Sequence, residues 1–211
     1  MLFKEVLNRI PELKEKKLPG AKAHNCIMDM SLRAKIFEAH EHKTPHKESA
    51  VLALIYPDHR QQARMVFILR KSYEGHHSGQ ISFPGGKKET IDASLYETAL
   101  RETREEIGVD SQLIQPVKQL SEVFIPVSNF LVQPFLAVMR HTPAFIKDPV
   151  EVEEILELPL QALLSHQLVP VHKSYFDRTY RLYAFQVGEI QIWGATAMIL
   201  AEIRSLFGFE L

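Results

Sequence analysis

Pro84 to Gly108 reads PGGKKETIDASLYETALRETREEIG, and its closing run, Arg101-Glu102-Thr103-Arg104-Glu105-Glu106-Ile107-Gly108, decides how the chain is read. A helical pattern runs from Ala93 to Ile107, with Leu95, Ala99, Thr103 and Ile107 spaced as a buried stripe. Residues three and four apart share a helical face, so Glu102, Glu105 and Glu106 project together within about one turn. Like charges so placed repel unless something positive lies between them. Hard divalent cations prefer carboxylate oxygens, and Mg2+ is commonly shared between a few carboxylates and substrate phosphates. Alone, the run also fits a plain solvated helix face, with Arg101 and Arg104 neutralising the acids. The preceding loop tips the balance toward a metal site. Pro84-Gly85-Gly86 needs a tight turn and allows close backbone approach to a ligand. Asp92 stands where a helix N-cap belongs, and Gly108 where a C-cap does.

Upstream lie two apolar runs, Ala50 to Tyr56 and Met65 to Leu69, separated by a Pro57-Asp58 turn as in paired strands. The loop Ser72 to Gly79 and a short run from Gln80 to Phe83 lead into the glycines. Further strands are predicted at Val123 to Val127, Phe130 to Val138 and Arg181 to Val187, with helices at Leu160 to Leu164 and Ala195 to Phe207. At the start of the chain, Phe3, Val6, Leu7, Ile10 and Leu13 mark one face of a helix. A polar, histidine-rich stretch from Lys22 to Lys47 follows, with a second helix expected near Ser31 to Glu41. His40, His42 and His46 have no recognised ligand spacing and read as linker. The division expected is a helical extension over residues 1–47 and a main domain over 48–211. The mixture of strands and helices argues an α/β or α+β sandwich.

Composition narrows the function. A net charge of −1 supplies no basic field to draw in nucleic acid. Cys26 is the single cysteine, so no intrachain disulfide forms and a reducing compartment is expected. Met1 to Lys17 lacks the apolar core of a signal peptide, and no stretch approaches the ~18–20 apolar residues of a membrane span. A cytoplasmic protein with no membrane partner is the expectation.

The run from Gly86 to Gly108 resembles the Nudix box: a glycine, an acid, then Arg-Glu, two glutamates and a closing glycine. The acid here is Asp92 rather than glutamate, and Ala93 to Leu100 separates it from Arg101 with one residue more than usual. The coenzyme A-cleaving branch of the family shares both departures. His77-Ser78-Gly79-Gln80-Ile81-Ser82-Phe83-Pro84-Gly85-Gly86 is similar to the element preceding the box in that branch. Lys71-Ser72 stands in place of an Arg-Ser pair, and Gly75 in place of a second arginine. Similarity extends from about Ala50 to Thr196 and includes Ile125-Pro126-Val127-Ser128-Asn129-Phe130 and Trp193-Gly194-Ala195-Thr196.

The resemblance implies a Nudix α/β/α sandwich with a mixed β-sheet and a metal-dependent phosphoanhydride hydrolase, with Mg2+ or Mn2+ as cofactor. Glu102 and Glu106 would be the principal metal ligands, Glu105 would complete the site or act as catalytic base, and the Gly86 carbonyl would add a further ligand. Arg101 would hold a box glutamate in its productive rotamer. Glu151, Glu153, Glu154 and Glu157 are alternative bases. For substrate binding, Arg70 or Lys71 would meet the 3′-phosphate of coenzyme A, and His77 belongs to the upstream element. Trp193, Phe130, Phe135 and Tyr183 could stack on adenine, although core packing is the default for each. The expected partner is a coenzyme A-like nucleotide, cleaved to 3′-phospho-AMP and 4′-phosphopantetheine. ADP-ribose or a dinucleotide is the alternative substrate, and a non-catalytic binding module the alternative class. By analogy with the fold, a homodimer is the expected assembly.

Overall fold

The computed structural model describes residues 1–28, 32, 34, 35, 38, 45–71, 79–175 and 178–210. The expected helix near Ser31 to Glu41 falls largely outside the described residues, as do His40, His42 and His77.

Two long strands form the centre of the main sheet. β1 (Lys47–Pro57) and β7 (Phe130–Met139) run parallel, with Lys47 opposite Phe130 and Ile55 opposite Val138. Both are almost wholly buried, which is why they read as continuous apolar runs rather than alternating ones. The other pairings are antiparallel. β2 (Ala63–Arg70) lies beside β1 and also pairs with β3 (Ile81–Ser82) and β8 (Val152–Pro159). The short β4 (Gly85–Lys87) pairs with the first half of β1. β5 (Ile114–Gln119) and β6 (Val123–Ile125) pair with β7. A second antiparallel sheet contains β9 (Val169–Tyr175), β10 (Arg178–Val187) and β11 (Ile190–Ile192).

Side chains alternate across the main sheet and fill two cores. Leu52, Leu54, Tyr56, Val66 and Ile68 face α3 (Leu95–Ile107), meeting Ala99 and Ile107. Ala53, Ile55, Met65 and Phe67 face the opposite layer, made by α1 (Phe3–Glu15), α2 (Ala21–His24), α4 (Leu160–Ser165), α5 (Gly194–Leu206) and the smaller sheet. Helices therefore cover both faces of a mixed sheet, the α/β/α sandwich that the sequence leads one to expect. Each fully buried Leu, Ile or Phe contributes about 1.5–3 kcal/mol.

The N-terminal extension packs into this body. Phe3, Val6 and Leu13 are buried in the same core as α5, and the Phe3 N–H donates to Gln61 O at 2.9 Å. The Glu202 side chain of α5 is fully buried and accepts from Gly20 N–H (2.9 Å), Ser121 N–H (2.8 Å) and Ser121 Oγ (2.7 Å). One carboxylate thus ties the segment after α1 to the turn between β5 and β6. Among the described residues no helix is long and apolar enough to cross a membrane.

Candidate active site

β4 brings the glycine pair against β1, with Gly86 opposite Ala50 and Gly85 opposite Val51. Gly85 has φ +150, and a Cβ there would collide with the Ala50 carbonyl and Val51 Cα. Only glycine lets the strand close to this distance. On the other side of β4 lies α3. It is capped at its start by Ser94, whose hydroxyl accepts from Glu97 N–H at 3.2 Å, and at its end by Gly108 with φ 72. The expected N-cap, Asp92, lies outside the helix because another residue holds it. Arg101 reaches back and donates Nε to Asp92 Oδ1 (2.9 Å) and Nη2 to Oδ2 (3.0 Å), while Thr98 Oγ1 and Glu89 N–H donate to the same carboxylate. Those hydrogen bonds, Arg101's foremost, hold the Asp92 carboxyl well below the usual carboxylate range.

Arg101 also organises the box glutamates. Its Nη1 lies 3.0 Å from Glu102 Oε1 and 2.9 Å from Glu105 Oε2, and its Nη2 donates to Lys87 O at 3.1 Å. Glu105 is half exposed, whereas Glu102 is turned inward against β4. A Cβ on Gly86 would fall 2.5 Å from the Glu102 carboxyl carbon and both its oxygens. The missing side chain of Gly86 is thus the space that the Glu102 carboxylate uses.

Glu106, one turn further on, is 2% exposed. Its Oε2 accepts from Gly85 N–H at 2.7 Å. Its Oε1 lies 3.2 Å from Arg70 Nη2 but has no aligned hydrogen bond. Burial pushes this carboxyl up to about 7, against the pull of Arg70 and the Gly85 N–H, and Glu102 and Glu151 push the same way. Burial likewise raises Glu102, opposed by Arg101 and assisted by Glu105 and Glu151. Two inward carboxylates that resist ionising, one with a buried oxygen lacking an aligned donor, suit a cation. Among the described residues no group of three or more His, Cys, Asp or Glu is arranged to hold an ion by itself. Mg2+ usually keeps several waters and binds through one or two carboxylates plus substrate phosphates, so the Glu102–Glu106 pair fits it.

The site opens on a cavity of about 530 Å3. Arg70, Gly85, Gly86, Lys87, Glu102 and Glu151 form its polar wall, and Phe124, Ile125, Phe130, Trp193, Met198 and Ile199 are among its apolar lining. A family model for the NUDIX domain matches residues 46–179, more than half of the chain. The chain belongs to the Nudix hydrolase family. It is similar to the mitochondrial Nudix hydrolase 15 of Arabidopsis thaliana, 32% identical over 167 residues, covering 76% of this chain and 58% of that protein. A Salmonella dublin protein described as an uncharacterized Nudix hydrolase, NudL, is 30% identical over 170 residues, covering 80% of this chain and 88% of its own length. This chain therefore spans little more than half of the Arabidopsis relative. Among solved structures, the Nudix hydrolase RenU of M. Smegmatis matches with a TM-score of 0.55 at 14% identity, covering 78% of this chain and 88% of its own. A MutT/nudix family protein of Enterococcus faecalis matches with a TM-score of 0.54 at 18% identity, covering 92% and 76% respectively. These two carry the fold alone.

Within the Nudix box, Arg101, Glu102, Glu105, Glu106 and Gly86 thus come together around β4 and the start of the cavity. Arg70 joins them in a place the sequence did not suggest: its Nη2 donates to Gly85 O at 2.6 Å and its Nε to Ser82 Oγ at 3.2 Å, beside Glu106. Lys71 stands at the end of β2, its backbone N–H donating to Glu151 O at 3.0 Å. Of the four later acids, Glu151 lines the cavity; Glu153, Glu154 and Glu157 belong to β8 rather than to a loop, and Glu157 accepts from Tyr56 Oη at 2.6 Å. Trp193 and Phe130 line the cavity, while Phe135 packs edge-on against Tyr96 and Tyr183 sits in β10.

Proposed function

We propose that this Nudix chain hydrolyses the diphosphate of coenzyme A or its acyl derivatives, releasing 3′-phospho-AMP and 4′-phosphopantetheine. The observation that carries the reading is Glu102 on the wall of a cavity beside Gly85-Gly86, with Glu106 buried behind Gly85, where much of the remaining wall is aromatic and aliphatic. A diphosphate needs the first part, and a substrate with a long organic arm on each side of it needs the second. The Asp92 variant of the box and the upstream element from His77 to Gly86 support coenzyme A over other nucleoside diphosphates.

Glu102 and Glu106 would hold Mg2+ or Mn2+, with the Gly86 carbonyl as a further oxygen. The cation, when bound, supplies positive charge that polarises the diphosphate and stabilises the leaving phosphate. Arg101 keeps Glu102 and Glu105 in fixed rotamers, and Arg70 holds Glu106 and the Gly85 carbonyl in register. Water attacks one phosphorus, the bond from that phosphorus to the bridging oxygen breaks, and a carboxylate takes the water's proton. General-base help of this kind is worth about 10²–10⁴-fold. Glu151, on the cavity wall, and Glu105, tethered to Arg101, are the two carboxylates proposed for that role.

The test is product chromatography after incubation with coenzyme A and Mg2+ or Mn2+, for the wild type and for Glu106→Gln, Glu105→Gln and Glu151→Gln. Formation of 3′-phospho-AMP and 4′-phosphopantetheine that Glu106→Gln abolishes supports the assignment, and the larger loss between the other two names the base. Turnover of ADP-ribose at least ten-fold more efficient than that of coenzyme A would overturn the substrate choice.

A further inference from the structure

β9 alternates cleanly until one residue departs from the pattern. Val169 and Val171 face inward and Pro170, His172 and Ser174 face solvent, which puts Lys173 on the inward side. Its partner across the ladder, Tyr180, packs against the core, as does Leu182 opposite Val171. A lysine at such a position is uncommon unless it is paired. Here the ammonium sits 4.2 Å from the centroid of the Trp193 ring, and among the described residues no carboxylate forms an ion pair with it. A ring face offsets part of the cost of holding the charge there but accepts none of the three N–H donors in the manner of an oxygen.

Trp193 is also part of the wall of the diphosphate cavity, together with Gly194, Ala195 and Thr196. Thr196 Oγ1 donates to Ile81 O at 3.0 Å, which fixes this wall to β3, two residues before the turn into β4. Of the basic residues at the box glutamates, Arg101 is taken by Asp92, Glu102 and Glu105, and Arg70 by Glu106, Gly85 O and Ser82 Oγ. Lys87 lies on the wall next to Gly86, at the diphosphate end, so a second anionic group farther along, toward Trp193, calls for a different cation. We infer that Lys173 and Trp193 form a specificity subsite for the nucleotide half of the substrate, with Lys173 meeting a phosphate monoester on the ribose and Trp193 stacking on the base. An ammonium on a flexible stem meets phosphate as a point charge, and an indole offers a broad apolar face to a purine.

The inference rests on the coenzyme A reading for the identity of the monoester, but its test does not depend on turnover. Trp193 is the only tryptophan in the chain, so its fluorescence reports on this wall alone. Adenosine 3′,5′-bisphosphate and AMP are titrated in EDTA into wild type, Lys173→Gln and Lys173→Arg. The bisphosphate is expected to quench Trp193 with a Kd at least ten-fold below that of AMP. Lys173→Gln should erase that difference and Lys173→Arg retain it. In parallel, Lys173→Gln should lower kcat/KM for coenzyme A at least ten-fold while changing that for 3′-dephospho-coenzyme A less than two-fold. Equal affinities for the two nucleotides in the wild type, absence of quenching by either, or a difference that survives Lys173→Gln overturns the subsite. Quenching as expected without coenzyme A cleavage overturns the proposed reaction and leaves the subsite standing.

Discussion

Arg101 grips Asp92 at two points, Nε to Oδ1 at 2.9 Å and Nη2 to Oδ2 at 3.0 Å, and the same guanidinium holds Glu102 and Glu105 with its remaining nitrogen. The acid that opens the box therefore sets the position of the acids that close it. Two-point guanidinium–carboxylate pairs fix angle as well as distance. Asp92→Ala removes the two-point partner and strands the Thr98 and Glu89 donors, while Arg101 keeps Glu102 and Glu105, so it is expected to cost about 1–3 kcal/mol in urea unfolding. Asp92→Asn keeps the shape and should cost less. Its kcat should nevertheless fall, because a neutral amide no longer fixes the angle at which Arg101 presents Nη1 to Glu102 and Glu105. A loss under 1 kcal/mol in Asp92→Ala would show that the pair does not organise the site.

The two glycines of the turn fail in different ways. At Gly86 the atoms nearest an added Cβ are the carboxylate end of Glu102, a flexible group that can rotate aside. Gly86→Ala should therefore fold with a stability change under about 1 kcal/mol and lose about 10²-fold in kcat/KM as the carboxylate is displaced. At Gly85 the clash is with the backbone of Ala50 and Val51, at a φ of +150 that other residues rarely adopt. Gly85→Ala should be strongly destabilised. Thermal melts set beside steady-state rates separate the two, and a Gly86→Ala protein with full activity would remove Glu102 from the site.

The contrast between those glycines was partly legible in the sequence. The turn, the acidic helix face and the buried central strands announce themselves because each depends on local spacing. Arg70 did not: at the end of a strand it reads as a partner for the 3′-phosphate, and its actual partner Glu106 is brought to it only by the fold. Asp92 resembled an N-cap because its chemistry suits one, but a two-point pair with Arg101 outbids a single backbone N–H, and Ser94 caps instead. β8 gives a weak signal because Glu153 and Glu154 stand side by side and break the alternation that Leu156, Glu157 and Leu158 keep. β4 and β11 are three residues long, too short to show a period. Lys173 gives no signal for a related reason: its inward direction follows from the register with β10, which the sequence does not display.

Glu202 carries a prediction away from the catalytic wall. Its fully buried carboxylate satisfies Gly20 N–H and both donors of Ser121, so it joins the N-terminal segment to the turn before β6. Glu202→Ala would strand those donors and should cost about 3 kcal/mol or more. The first consequence expected is local: limited proteolysis should cut between α1 and α2 in the variant before it cuts the central sheet. Cleavage that begins in the sheet, or a variant as stable as the wild type, would count against this carboxylate as the tie.

The buried Glu106 makes the metal-free protein sensitive to pH, and the sign can be worked out. Its carboxyl ionises near 4.5 in the unfolded chain and at about 7 in the folded one, chiefly through burial. Between those values the folded state holds a proton that the unfolded state has released. Stability therefore falls as pH rises through that window and levels off above it, by up to about 3 kcal/mol from this one group. Glu106→Gln keeps an oxygen for the Gly85 N–H but carries no charge, so it should lack this fall and be the more stable protein at pH 8 in EDTA. Millimolar Mg2+ or Mn2+ should restore stability to the wild type at pH 8, since a ligand that binds only the folded state stabilises it, and should do little for the variant. Urea midpoints measured from pH 5 to 8, with and without the cation, test both halves. Parallel pH profiles for the two proteins in EDTA would show that Glu106 is not held against ionisation, and with it would go the argument that this inward carboxylate suits a cation.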